Sequence, residues 1–264
     1  MRPIMAIAAT TLGEAIRRRV LLIILLVGIL FLAIAPGLQV LSARQETTVL
    51  MSFTLGILKF TSAAIAIVLT VYLIPNEIER RTIYTILSKP VQRWQFLLGK
   101  FAGAIAALGL MMLMMTVTIV LVFFFMQRDV MQPSMIAKML QVPLMYFIQM
   151  SLLAAVSVFF STFATPLVNF FLSGGVFIVG SMFNSLLGTI KDNKALPDLA
   201  KLLAAFIHSL VPNFQDFDVQ NPVINATQQI RGVGMHYTAL TVYAVLYITI
   251  LLIGGILIFD RREV

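Results

Sequence analysis

Thr162-Phe163-Ala164-Thr165-Pro166 stands in the middle of a fifty-two-residue interval, Met139 to Ile190, that holds no Asp, Glu, Lys or Arg. Charge is costly in the hydrocarbon core of a bilayer, so an interval bare of it is where a span fits. As one helix these residues would reach roughly 78 Å at about 1.5 Å per residue, against a core about 30 Å thick. The chain must turn back. Pro166 supplies the break, because it cannot donate to the preceding turn and it biases Thr165 toward an extended backbone. Two spans follow, about 141–161 and 167–187.

Outward from there, four more charge-free intervals run from Val20 to Ala43, Phe60 to Asn76, Phe101 to Gln127 and Gly232 to Phe259. They place spans at about 20–38, 53–74, 101–126 and 237–259. The fold class is therefore all-α integral membrane, with six transmembrane helices in a single domain over residues 1–264. Composition points the same way: the chain is 60% hydrophobic and 11% charged, with a mean hydropathy of +0.98. Soluble chains are about 45–50% apolar and about 25% charged. The absence of Cys excludes a disulfide scaffold. The net charge of +8 reads as orientation and headgroup contact in such a chain, not as nucleic-acid binding.

Six spans put both termini on one side, and the basic residues say which. Arg17-Arg18-Arg19 precedes the first span and Arg261-Arg262 follows the last. Eleven Lys and Arg residues fall on the terminal side and seven on the other, most of the seven in one long loop where the positive-inside rule is weak. Both ends are expected in the cytoplasm of a multi-pass protein of the cell (inner) membrane. A cleaved signal peptide ending at Leu32-Ala33-Ile34-Ala35 is disfavoured, since the basic cluster follows an amphipathic pattern instead of a short charged leader. That pattern, Ile4, Ile7, Ala8, Leu12, Ala15 and Ile16 with Glu14 and Arg18 off the stripe, reads as an N-terminal interfacial helix along the inner membrane surface.

The loop 75–100 between the second and third spans reads as two short helices. Asn76 can cap the first, with Glu79 in capping-box position, and Lys89-Pro90 ends it. Pro90 can open the second, with Trp94, Leu97, Leu98 and Phe101 toward the bilayer and Gln92, Arg93 and Gln95 toward the cytosol. The run Glu77-x-Glu79-x-x-Thr82-x-x-x-x-Leu87-Ser88-x-Pro90-x-x-Arg93, followed by Leu98-Gly99-Lys100, resembles the first cytoplasmic loop of ABC-2-type permeases, the membrane subunits of ABC exporters. Thr11, Glu14 and Arg17 ahead of the first span, and Val211-Pro212-Asn213-Phe214-Gln215-Asp216-Phe217 before the last, are also similar to that family. Arg81 stands where relatives often carry Gly.

The resemblance implies a type V exporter-like architecture, in which two permease chains, identical or closely paralogous, pair in the bilayer. Each rests on a separate ABC ATPase subunit, two copies in all, which binds the ATP and Mg. It also implies that the N-terminal helix and the loop 75–100 transmit ATPase closure to the spans. Candidate coupling residues are Glu14, Arg17, Glu77, Glu79, Arg80, Arg81, Thr82, Lys89, Pro90, Arg93 and Lys100. The expected function is export of a hydrophobic or amphipathic substrate. The alternative is a non-transporting anchor or assembly factor that recruits a cytosolic partner through the same loop.

No phosphate-loop pattern occurs in the sequence, and Leu172-Ser173-Gly174-Gly175 lies mid-span, where small residues serve helix approach. The chain is not expected to be an enzyme or to hold a cofactor or metal of its own. Met111, Met112, Met114 and Met115 read as flexible packing, His208 and His236 lack ligand spacing, and Asn213, Asp216 and Asp218 read as loop polarity. The outer segment 188–236 carries an apolar stripe, Leu196, Leu199, Leu203, Phe206 and Leu210, expected as an amphipathic helix on the outer leaflet. By the resemblance, such helices would cap the exit of the transport path. Within the spans, Lys59 either snorkels to the outer interface or faces the pathway, with Asn169 and Asn184 as further pathway candidates beside their commoner role in interhelical hydrogen bonds.

Overall fold

The computed structural model of the chain describes residues 2–37, 46–79, 92–126, 133–182, 211–218 and 233–261, with single positions at 197, 199 and 202. These residues form eight α-helices, a 3₁₀ turn before the last span and a further 3₁₀ stretch at residues 35–37, with no strand among them. The helices are α1 (Arg2–Arg17), α2 (Arg19–Ile34), α3 (Glu46–Val71), α4 (Pro75–Glu79), α5 (Arg93–Met126), α6 (Pro133–Ser161), α7 (Pro166–Ser181) and α8 (Val233–Arg261); the 3₁₀ turn is Gln215–Phe217. The helix before Thr162 stops at Ser161 and the next begins at Pro166, with Thr165 extended at ψ 156°.

Five helical stretches are long and apolar enough to cross a bilayer: Arg19–Gly37, Val49–Glu77, Arg93–Phe125, Leu140–Ser161 and Gly234–Asp260. Six were expected. The remaining one, α7, is apolar but has 16 described residues, about 24 Å at about 1.5 Å per residue; residues 183–187 of its expected range lie outside the described residues. α6 is the central helix, with 78% of its spanning window buried, and α8 the peripheral one, with 17%.

Close approaches are made at glycines. A Cβ on Gly28 of α2 would lie 2.6 Å from Thr61 Cγ2 of α3, so any larger residue there would have to displace the Thr61 side chain. Gly99 and Gly103, one turn apart on α5, receive α1: a Cβ on Gly103 would lie 2.6 Å from the Ala8 carbonyl oxygen and from Thr11 Cβ. The stripe of α1 thus covers the start of α5, with Thr11 and Ala15 buried, while Ile16 and Met5 stay exposed.

Two sequence expectations change. The second short helix of the loop is not separate: from Arg93 onward the chain is one 34-residue helix that includes the third span. Leu97, expected to face the bilayer, is fully buried, and Phe96 stacks on Phe259 of α8. The second span also begins earlier than expected, because α3 starts at Glu46. Lys59 accordingly sits near the middle of α3 and not in its first turns.

Candidate functional site

At the end of the bundle where α1, α4, α5 and the end of α8 meet, Lys100 is the organising residue. It is 4% exposed, and Nζ donates to Glu77 Oε1 of α4 at 2.5 Å and lies 3.5 Å from Glu14 Oε2 of α1. Its ammonium also lies over the Phe96 ring, 5.9 Å from the centroid. A buried charge is tolerated when it is paired and hydrogen-bonded, and here two carboxylates from two different helices meet that need. One cation on a spanning helix therefore fixes both the N-terminal helix and the short helix α4 to that span. Arg93, two turns earlier on α5, donates from Nη1 to the carbonyls of Phe259 and Asp260 at 3.0 and 3.1 Å, satisfying acceptors at the end of α8 that the helix leaves open.

The opposite half of the bundle holds a second constellation. Lys59 Nζ of α3 donates to Asp218 Oδ2 at 2.7 Å, and the Tyr146 hydroxyl of α6 donates to Asp218 Oδ1 at 3.2 Å. Asp218 follows the 3₁₀ turn of segment 211–218, which enters the bundle between α3, α6, α7 and α8. Irregular backbone at such depth must be satisfied by protein. Phe214 N–H donates to the Gly180 carbonyl at the end of α7, Gln149 Nε2 donates to the Phe214 carbonyl, and Asn213 N–H donates to the Tyr243 hydroxyl, at 3.1, 3.1 and 3.3 Å. Phe214 and Phe217 are fully buried. Gly180 is required by this seat, since a Cβ there would lie 2.6 Å from Phe214 Cδ2 and 2.7 Å from the Pro212 carbonyl oxygen. The segment is a plug stapled to four helices.

The sequence model of one protein family, described as ABC-2 family transporter protein, matches residues 5–264. The chain belongs to the ABC-2 transporter family. It is a membrane subunit of that family, a multi-pass permease rather than an ATPase. No curated protein matches it.

Of the permease residues proposed for coupling, Glu14, Arg17, Glu77 and Lys100 come together around one cavity, and Arg93 lies beside them on α5. Arg80, Arg81, Thr82, Lys89 and Pro90, and the side chain of Glu79, lie outside the described residues, as do Asn184, His208 and most of the outer segment. Asn169 is fully buried and ties α7 to α6: Nδ2 donates to the Ser157 carbonyl at 3.0 Å, and Oδ1 accepts from Ser173 at 2.8 Å. It is a packing residue in this geometry. Lys59 is likewise held in an ion pair.

Sequence reasoning missed Asp218 and Tyr146. One signal for Asp218 was present: no carboxylate occurs inside the spans, so the counter-ion of a mid-span lysine had to come from a connecting segment.

Proposed function

We propose that the permease is one half of an ABC exporter, paired with a second copy or a close paralogue and driven by two copies of a separate ATPase that binds the ATP and Mg. Each chain crosses the inner membrane six times, α7 and its continuation being one crossing, with both termini in the cytoplasm. Under this orientation the Lys100 cluster faces the ATPase and segment 211–218 lies in the outer half. The observation that carries the reading is the tie of α1 and α4 to the start of α5 through Lys100, Glu14 and Glu77. ATPase closure beneath α1 and the loop 75–100 would be passed through this tie to a spanning helix as a rigid-body displacement. The plug would close the outer end until that displacement reaches it. Span interiors without a carboxylate favour a hydrophobic or amphipathic substrate.

The test is co-purification with the candidate ATPase and measurement of ATP hydrolysis with wild-type and Glu79→Arg permease. Stable association with stimulated hydrolysis, and loss of stimulation in the variant, are expected. A permease that binds its partner but leaves hydrolysis unchanged by either form would favour a non-transporting anchor and overturn the reading.

A further inference from the structure

The cavity beside Lys100 has a volume of about 350 Å³ and is lined by Glu14, Arg17, Arg18, Asn76, Glu77 and Lys100, with Leu73. It lies at the elbow between α1 and α2, where Arg18 is extended (φ −72°, ψ 112°) between two helices. Immediately beyond the elbow the chain enters its first span, and Val20 and Ile23 are 58% and 61% exposed on the surface that meets lipid acyl chains. The cavity therefore opens at the level where headgroups lie. Its charges do not cancel. Glu77 is engaged by Lys100 deep in the wall, whereas Arg17 and Arg18 have no carboxylate partner among the described residues. Among the described lining residues, three cations face two carboxylates and leave one positive charge. Glu14, with a side chain 56% exposed, and Asn76 add acceptors at the rim.

We propose that this cavity binds the headgroup of a monoanionic phosphodiester lipid bearing hydroxyl groups. The phosphate oxygens would accept from the guanidiniums of Arg17 and Arg18, for which planar two-pronged donation is well suited, and the headgroup hydroxyls would donate to Glu14. One negative charge balances the one positive charge left over, which a zwitterionic headgroup does not. The acyl chains would run along the exposed face of α2. A bound lipid would thereby brace the elbow between the N-terminal helix and the first span. The inference needs only that α2 crosses the bilayer, so it stands or falls independently of the ATPase.

The test uses the full chain, purified and exposed to phosphatidylglycerol or phosphatidylcholine, with retained lipid counted by native mass spectrometry. Wild type is expected to hold phosphatidylglycerol in preference to phosphatidylcholine. Arg17→Gln with Arg18→Gln should weaken that retention roughly a hundredfold, about tenfold for each charge-assisted hydrogen-bonding group removed. Arg19→Gln, from the same basic run but off the cavity wall, should leave it unchanged. If the double variant does not purify as a folded protein, Arg18→Gln alone is compared with Arg19→Gln, and a selective loss in the former is expected. Equal losses in both would show diffuse surface charge and overturn the proposal, as would retention in the double variant. Displacement of the lipid by inorganic phosphate would also overturn it, because the site would then read a free anion.

Discussion

Lys100 and Lys59 each carry an ammonium from a spanning helix to a carboxylate on another segment, yet the two settings differ in what surrounds the pair. Lys100 meets two carboxylates from two helices, and α1 beside it is pressed against Gly99 and Gly103 with no room for a side chain. Lys59 meets one carboxylate, Asp218, whose side chain is 29% exposed and which also accepts from Tyr146. Around it the plug is held by single hydrogen bonds from an irregular backbone and by two buried rings. The first arrangement packs regular helix against regular helix; the second seats a short irregular segment among four helices, where hydrogen bonds can be exchanged one at a time. The lesson is that the same residue pairing can weld two elements or latch them, depending on whether a long regular helix face or a short irregular segment lies beside it.

Five substitutions bear on this contrast. The largest effect is expected for Lys100→Met, which removes the buried cation that joins Glu14 and Glu77 to α5 and should cost about 3–5 kcal/mol, read as lowered thermal stability in detergent. Gly103→Leu should cost about 3 kcal/mol, the upper end for overpacking, because the Ala8 carbonyl cannot yield as a side chain would. It should also release α1 to protease while leaving the spans intact, and an unchanged cleavage pattern would remove the weld.

Lys59→Met should cost about 2 kcal/mol, in the range for a hydrogen bond to a charged group, since Asp218 keeps Tyr146 and some solvent. Adding Asp218→Asn to it should recover part of that loss. A double variant no better than the single would mean that Lys59 does not act through Asp218. Asn169→Ala, which cuts an interhelical bond within the bundle and touches neither lysine, should cost only about 0.6 kcal/mol. A larger loss would show that the α6–α7 turn, and not the two lysines, governs stability.

The sequence made the spans legible because charge cannot hide in a bilayer: Thr162 to Pro166 marks a turn, and α6 and α7 flank it. It also pointed to Glu14, Glu77 and Lys100 through a resemblance, though not to their meeting around one ammonium, because residues 14, 77 and 100 are joined only by tertiary packing. Arg93 onward was misread as a separate helix because Pro90 offers a start signal, whereas the long helix is set by the burial of Phe96 and Leu97 against α8. Asp218 was unreadable from local polarity. A carboxylate in a loop gives no local sign that the loop re-enters the bundle, and that depends on Gly180, Gln149 and Tyr243 lying in three other helices.

The weld and the latch are separated most directly by distance measurement during the ATP cycle, in the complex with the ATPase. The chain has no Cys of its own, so spin labels can be placed in pairs: Met5→Cys with Leu113→Cys across α1 and α5, and Phe53→Cys with Asp216→Cys across α3 and the plug. Electron–electron resonance on nucleotide-free and ATP-trapped complexes should give one unchanged distance for the first pair and a shifted one for the second. A shift in the first pair, or an unmoved plug, would contradict the account.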